Sequence, residues 1–65
     1  MTLLDEVNTE ADLASFLKEH PDTVRARRIN GTGPRYVRIG RSIRYRRDDV
    51  LAWLEVNTVT GTGAI

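Results

Sequence analysis

Apolar residues along the chain follow a helical spacing first, then strict alternation, then a helical spacing again. Leu13 and Leu17 stand four apart with Ala14 beside them and Phe16 at the edge, so one stripe of a first helix can face a core while Asp12, Ser15 and Lys18 face water. Thr9 is a good cap for its start. Asp12 follows three residues on, as in a capping box, and Glu10 adds negative charge in the first turn, where the helix dipole favours it. Pro21 cannot continue that helix, but its fixed φ suits the first position of a new one, as do Asp22 and Thr23 beside it. The pattern therefore predicts a second helix over 21–29, reached through a short turn at 18–20, and two short helices joined so tightly read as a helix-turn-helix. Val24 is its one clear inward residue. Its other positions are mostly polar or small, which makes the second helix a presented face.

Two glycines and a proline between Asn30 and Pro34 end that helix. From Arg35 to Ile39, and again from Ser42 to Arg46, apolar and cationic residues alternate with a period of two, the mark of half-buried strands, so a hairpin is expected. A two-residue loop at Gly40-Arg41 puts Val37 and Ile39 on the face of Ser42 and Arg44. A three-residue loop, Gly40 to Ser42, pairs Ile39 with Ile43 and Val37 with Tyr45, and is preferred because it buries more. In that register Arg38 and Arg44 lie opposite each other with Arg41 at the tip, a like-charge arrangement that invites an anion. Asp48 and Asp49 then favour the start of a third helix, where Val50, Trp53 and Leu54 form a stripe that closes over the hairpin and the first helix. Trp53 is expected in the core.

The predicted fold is α+β, a small winged helix-turn-helix of two short helices, a two-stranded hairpin wing and a C-terminal helix. Residues 1–8 read as an N-terminal extension and 9–56 as the domain. Residues 57–65, which are Thr- and Gly-rich, uncharged and without periodicity, read as a flexible tail. Sixty-five residues support one core and no more. With no Cys and one His, disulfides and a four-ligand zinc site are excluded. No stretch has the length of a membrane span and the N-terminus lacks a basic, apolar leader, so a soluble, cytoplasmic protein is expected.

Charge sharpens the picture. The net +1 conceals three segments: −5 over residues 1–22, +9 over 25–47 and −3 over 48–65. All nine cations of the middle segment are Arg, at 25, 27, 28, 35, 38, 41, 44, 46 and 47. Such a block is the footprint of a protein that neutralises phosphates, and Arg binds them through a planar fork. A solvated basic face without a partner is the plainer alternative, disfavoured because crowded like charges repel. Catalytic signatures are lacking. His20 has no oriented partner and reads as a helix cap or a phosphate contact, Ser15 and Ser42 lack a nucleophile elbow, and Gly31-Thr32-Gly33 is neither a phosphate loop nor a dinucleotide fingerprint. No enzyme activity, metal or cofactor is expected.

Over residues 7–55 the sequence resembles the excisionase-like and AlpA-like branch of the MerR-related winged helix-turn-helix family. The likeness is strongest from Gly31 to Leu54, where Gly31, Gly33-Pro34, Tyr36, Arg38-Ile39-Gly40, Ile43, Tyr45, Asp49-Val50 and Trp53-Leu54 fall in the family's pattern. Leu17, Pro21, Thr23 and Val24 fit the first helix-turn-helix. Lys18 and Glu19 replace its usual turn Gly and apolar residue, and Arg27 stands where a Trp is common, implying either a more basic DNA surface or a shifted helix end. The resemblance implies a helix in the major groove and a wing along the backbone into an adjacent minor groove. Thr23, Arg25, Ala26, Arg27 and Arg28 are the candidate helix residues, the arginines facing guanine edges or phosphates and Ala26 a thymine methyl. On the wing, Arg41 is the minor-groove candidate, and Arg35, Tyr36, Arg38, Ser42 and Arg44 are the candidates for the backbone. The function implied is that of a phage or mobile-element excisionase, a recombination directionality factor that binds neighbouring sites cooperatively, bends attachment-site DNA and assists a tyrosine integrase. If phage-encoded, it would act in the host cytoplasm. A small AlpA-like transcriptional regulator is the alternative, and a protein-interaction module docking on an acidic partner is a third reading.

Overall fold

The computed structural model describes residues 3–59. Strand β1 (Val7–Asn8) leads into helix α1 (Glu10–Leu17), followed by α2 (Pro21–Asn30), β2 (Val37–Ile39), β3 (Ser42–Arg46) and α3 (Arg47–Val56). The three strands form an antiparallel sheet in the order β1-β3-β2. This is the small winged helix-turn-helix that the spacing of apolar residues predicts. Residues 60–65, most of the expected tail, lie outside the described residues.

Local chemistry sets each helix boundary. At the start of α1, Thr9 Oγ1 accepts from the Asp12 amide and Asp12 Oδ2 accepts from the Thr9 amide, each at 3.0 Å, completing the capping box. The helix stops because Lys18 turns left-handed, with φ +58°, and the Glu19 amide reaches back to the Ala14 carbonyl at 2.9 Å. Pro21 then opens α2 at its first position, and His20 caps it by accepting from the Asp22 amide on Nδ1 at 3.1 Å. Gly31, at φ +74°, closes α2 one residue later than the sequence predicts.

Leu4, Leu13, Ala14, Val24, Tyr45 and Val50 make the core, with Phe16, Leu17, Ile43 and Leu54 packed against it. Leu4 and Trp53 depart from the sequence-based expectation. Leu4 lies in the segment read as an extension, and that same segment supplies β1, whose Val7 pairs with Arg46 and Asn8 with Tyr45. Asn8 is buried and fully bonded: its Oδ1 accepts from the Asp5 amide at 2.8 Å, and its Nδ2 donates to the carbonyls of Asp5 and Tyr45. Trp53, by contrast, is half-buried outside the core. Its indole N–H donates to the Thr32 carbonyl at 2.9 Å, and the Arg27 guanidinium lies 5.5 Å above its ring. An indole needs a partner for its N–H, and the glycine loop supplies one at the rim.

The hairpin register is also corrected. Ile39 pairs with Ser42, Arg38 with Ile43 and Val37 with Arg44, so the loop is the two-residue Gly40-Arg41. Gly40 takes φ +60° while Arg41 keeps an ordinary negative φ, the sign pattern of a type II′ turn, whose twist matches that of the strands. Turn chemistry outweighs burial here. Ile39 stays 60% exposed, and the buried face is assembled from Ile43 and Tyr45, with Tyr36 tilted against Tyr45 at 6.2 Å. Arg38 and Arg44 therefore project from opposite faces of the wing, which removes the like-charge opposition.

Candidate nucleic-acid interface

Helix α2 turns Val24 inward and leaves Asp22, Thr23, Arg25, Ala26, Ile29 and Asn30 exposed. Arg27 and Arg28 are half-buried on its flanks. Arg25 has no ion-pair partner among the described residues. An open groove between α2 and the wing is lined by Arg25 and Arg28 from the helix and by Arg41, Ser42, Ile43 and Arg44 from the hairpin, with Thr9, Glu10 and Ala11 at the start of α1 also bordering it. Four arginines up to 19 positions apart in sequence thus border one groove.

The acidic flanks are not separate from the basic block. Glu10, in the first turn of α1, accepts from Arg28 Nε at 2.6 Å and from the Tyr45 hydroxyl at 3.3 Å, which joins α1, α2 and β3 at one carboxylate. Hydrogen bonding to Glu10 holds the Arg28 guanidinium more firmly protonated, and burial, reinforced by Glu10, pushes the Tyr45 hydroxyl up to about 12. Arg28 also lies 5.9 Å over the Tyr36 ring. Glu19, in the turn before α2, takes both terminal nitrogens of Arg27, and that pairing lowers its own pKa. Arg27 is thus clamped between a carboxylate and the Trp53 ring. Both arginines brace α2, and this is what fixes the orientation of its exposed side.

The remaining cations divide in space. Arg35 and Tyr36 border a second cleft with Arg27, Arg28 and the Gly31–Pro34 loop. Arg38 is exposed on the helix-facing side of the wing, and Arg44 folds back along its own strand, Nη1 donating to the Ile43 carbonyl at 2.8 Å. Arg46 pairs with Asp49 at 2.9 Å, and Arg47 lies beside Glu6, Asp48 and Asp49 at the junction of sheet and α3. The nine arginines are therefore not one surface: 25, 28, 41 and 44 share the groove, 27 and 35 border the second cleft, 38 stands exposed on the wing, and 46 and 47 sit among acids. Six of the nine have no ion-pair partner among the described residues.

The sequence pattern gives no sign of Asn8, and for Glu10 and Glu19 it shows a helix-start charge and a turn position but not the ion pairs they make. Their long-range partners lie 8 to 37 positions away, where neither helical nor strand periodicity reaches. Among the described residues no group of His, Cys, Asp and Glu side chains could hold a metal ion, and no helix is long and apolar enough to cross a membrane.

A helix braced from behind, a wing beside it and a cationic groove between them are the parts of a DNA-binding helix-turn-helix. The chain belongs to the helix-turn-helix domain family, whose model matches residues 9–58, and this membership supports DNA binding. No curated protein matches the sequence.

Proposed function

We propose that the chain is a sequence-specific, architectural DNA-binding protein of the excisionase kind, a recombination directionality factor that bends attachment-site DNA for a tyrosine integrase. The observation that carries the DNA reading is the groove in which Arg25 and Arg28 of α2 stand beside Arg41, Ser42 and Arg44 of the wing. In this reading α2 lies in the major groove with Thr23, Arg25 and Ala26 on base edges. Arg41, at the turn, enters the adjacent minor groove, where a narrow channel concentrates negative potential. Arg35, Tyr36, Arg38, Ser42 and Arg44 hold phosphates, while Arg27 and Arg28 act chiefly by bracing α2. The excisionase role itself rests on the likeness of residues 7–55 to that branch of the family.

Two experiments test the two levels. Arg25→Ala should relax base preference at one position by about 1–3 kcal/mol, whereas Arg41→Ala should weaken binding chiefly where the minor groove is narrow; binding arrays read both. Equal losses on every sequence for both variants contradict the assignment. For the biological role, purified protein added to a tyrosine integrase with its attachment-site DNA should raise excision over integration. Unchanged excision, with altered transcription from a bound promoter, identifies an AlpA-like regulator instead.

A further inference from the structure

Ile29 has no structural duty in the fold. It is 69% exposed, on a helix whose one buried side chain is Val24, and none of the core side chains packs on it. With Asp22 and Ala26, also exposed, it falls at the i, i+4, i+7 spacing that places three side chains in one row on the face turned away from Val24. Arg25 stands next to that row, and Arg27 and Arg28 flank the helix behind it. An apolar side chain beside Arg25, which has no ion-pair partner among the described residues, fits a partner that is itself an anion yet offers a small apolar group. Duplex DNA is such a partner, and the thymine C5 methyl is the apolar group that its bases expose in the major groove.

We infer that Ile29, together with Ala26, reads thymine methyl groups and so makes the chain prefer thymine at two neighbouring positions of its site. This rests on the reading of α2 as the helix in the major groove. Ala26 and Ile29 are separated by about 4.5 Å along the helix axis, against a base step of roughly 3.4 Å, so the two side chains meet adjacent base pairs. Ile29 is the larger and makes the greater contribution. Asp22, at the head of the same row, carries an acceptor suited to the cytosine amino group.

The test begins with selection of binding sites from a random duplex library by the full chain. Thymines in the selected site are then replaced one at a time by uracil, which removes only the methyl group. Wild-type affinity should fall about fourfold at the thymine that Ile29 meets, the equivalent of one buried carbon. Ile29→Ala, an exposed and helix-favouring change, should bind the thymine and uracil duplexes equally at that position. Equal wild-type affinity for both duplexes overturns the inference and leaves DNA binding intact. A uracil penalty that persists in Ile29→Ala also overturns it, by assigning the methyl contact elsewhere. A wild-type chain that self-associates without DNA and becomes monomeric on Ile29→Ala gives the residue to a protein interface instead. Failure to enrich any sequence, with no affinity for duplex DNA, sinks the reading of α2 itself.

Discussion

Tyr45 shows how a single hydroxyl is drawn into the fold. Its ring is buried in the core while its oxygen reaches Glu10, which also holds Arg28, so the phenol is protonated well beyond its usual range. In the unfolded chain it ionises near 10 and in the folded one at about 12, so the folded state holds the proton longer. Its contribution to stability is therefore full below pH 10 and declines as pH rises from 10 to 12. Tyr45→Phe should cost about 1 kcal/mol near neutrality by deleting the hydrogen bond, and should flatten that alkaline decline. Urea midpoints measured across the alkaline range read both effects, and an unaltered slope in the variant would place the proton elsewhere.

At the scale of elements, stability resides in short-range devices at the ends of short helices. Thr9→Ala opens the capping box of α1 and should cost about 1 kcal/mol in thermal or chemical melts. Lys18 holds a left-handed backbone that glycine adopts freely, and Lys18→Gly should stabilise the fold by roughly 0.5–1 kcal/mol, the relief of strain exceeding the added freedom of the unfolded chain. A destabilised Lys18→Gly would mean that the lysine side chain contributes more than its backbone costs. These devices are also where the sequence is most readable. Thr9 with Asp12, Pro21 and Gly31 announce their boundaries within three or four residues, and Val24 and Val50 announce the inward faces by period. The hairpin register was not legible in the same way, because alternation favours one loop and the glycine of a type II′ turn another, and the turn prevails. Strand β1 was invisible for a different reason. Two residues carry no period, and what makes them a strand is β3, nearly forty positions away.

For the molecule as a whole, the separation of charge along the chain is reworked by folding. The acids of the first 22 residues do not simply balance the arginines: Glu19 and Glu10 hold Arg27 and Arg28 on the flanks of α2, and Arg28 shares its groove with Arg25, Arg41 and Arg44, which have no ion-pair partner among the described residues. Counting charges from the sequence therefore finds the partner's sign but not which cations meet it. The proposed reading is that the cations of this groove, with Arg35 and Arg38 of the wing, neutralise the duplex while Arg46 and Arg47 do not. Its most direct test is the salt dependence of DNA affinity for the wild type, Arg41→Ala, Arg44→Ala and Arg47→Ala. The wild-type log-log slope is expected at about −4 to −6, falling in size by roughly 1 for each of the first two variants and unchanged for Arg47→Ala, a residue that borders a cleft with Glu6, Asp48 and Asp49. A flat wild-type plot, or an equal change for all three variants, would contradict it.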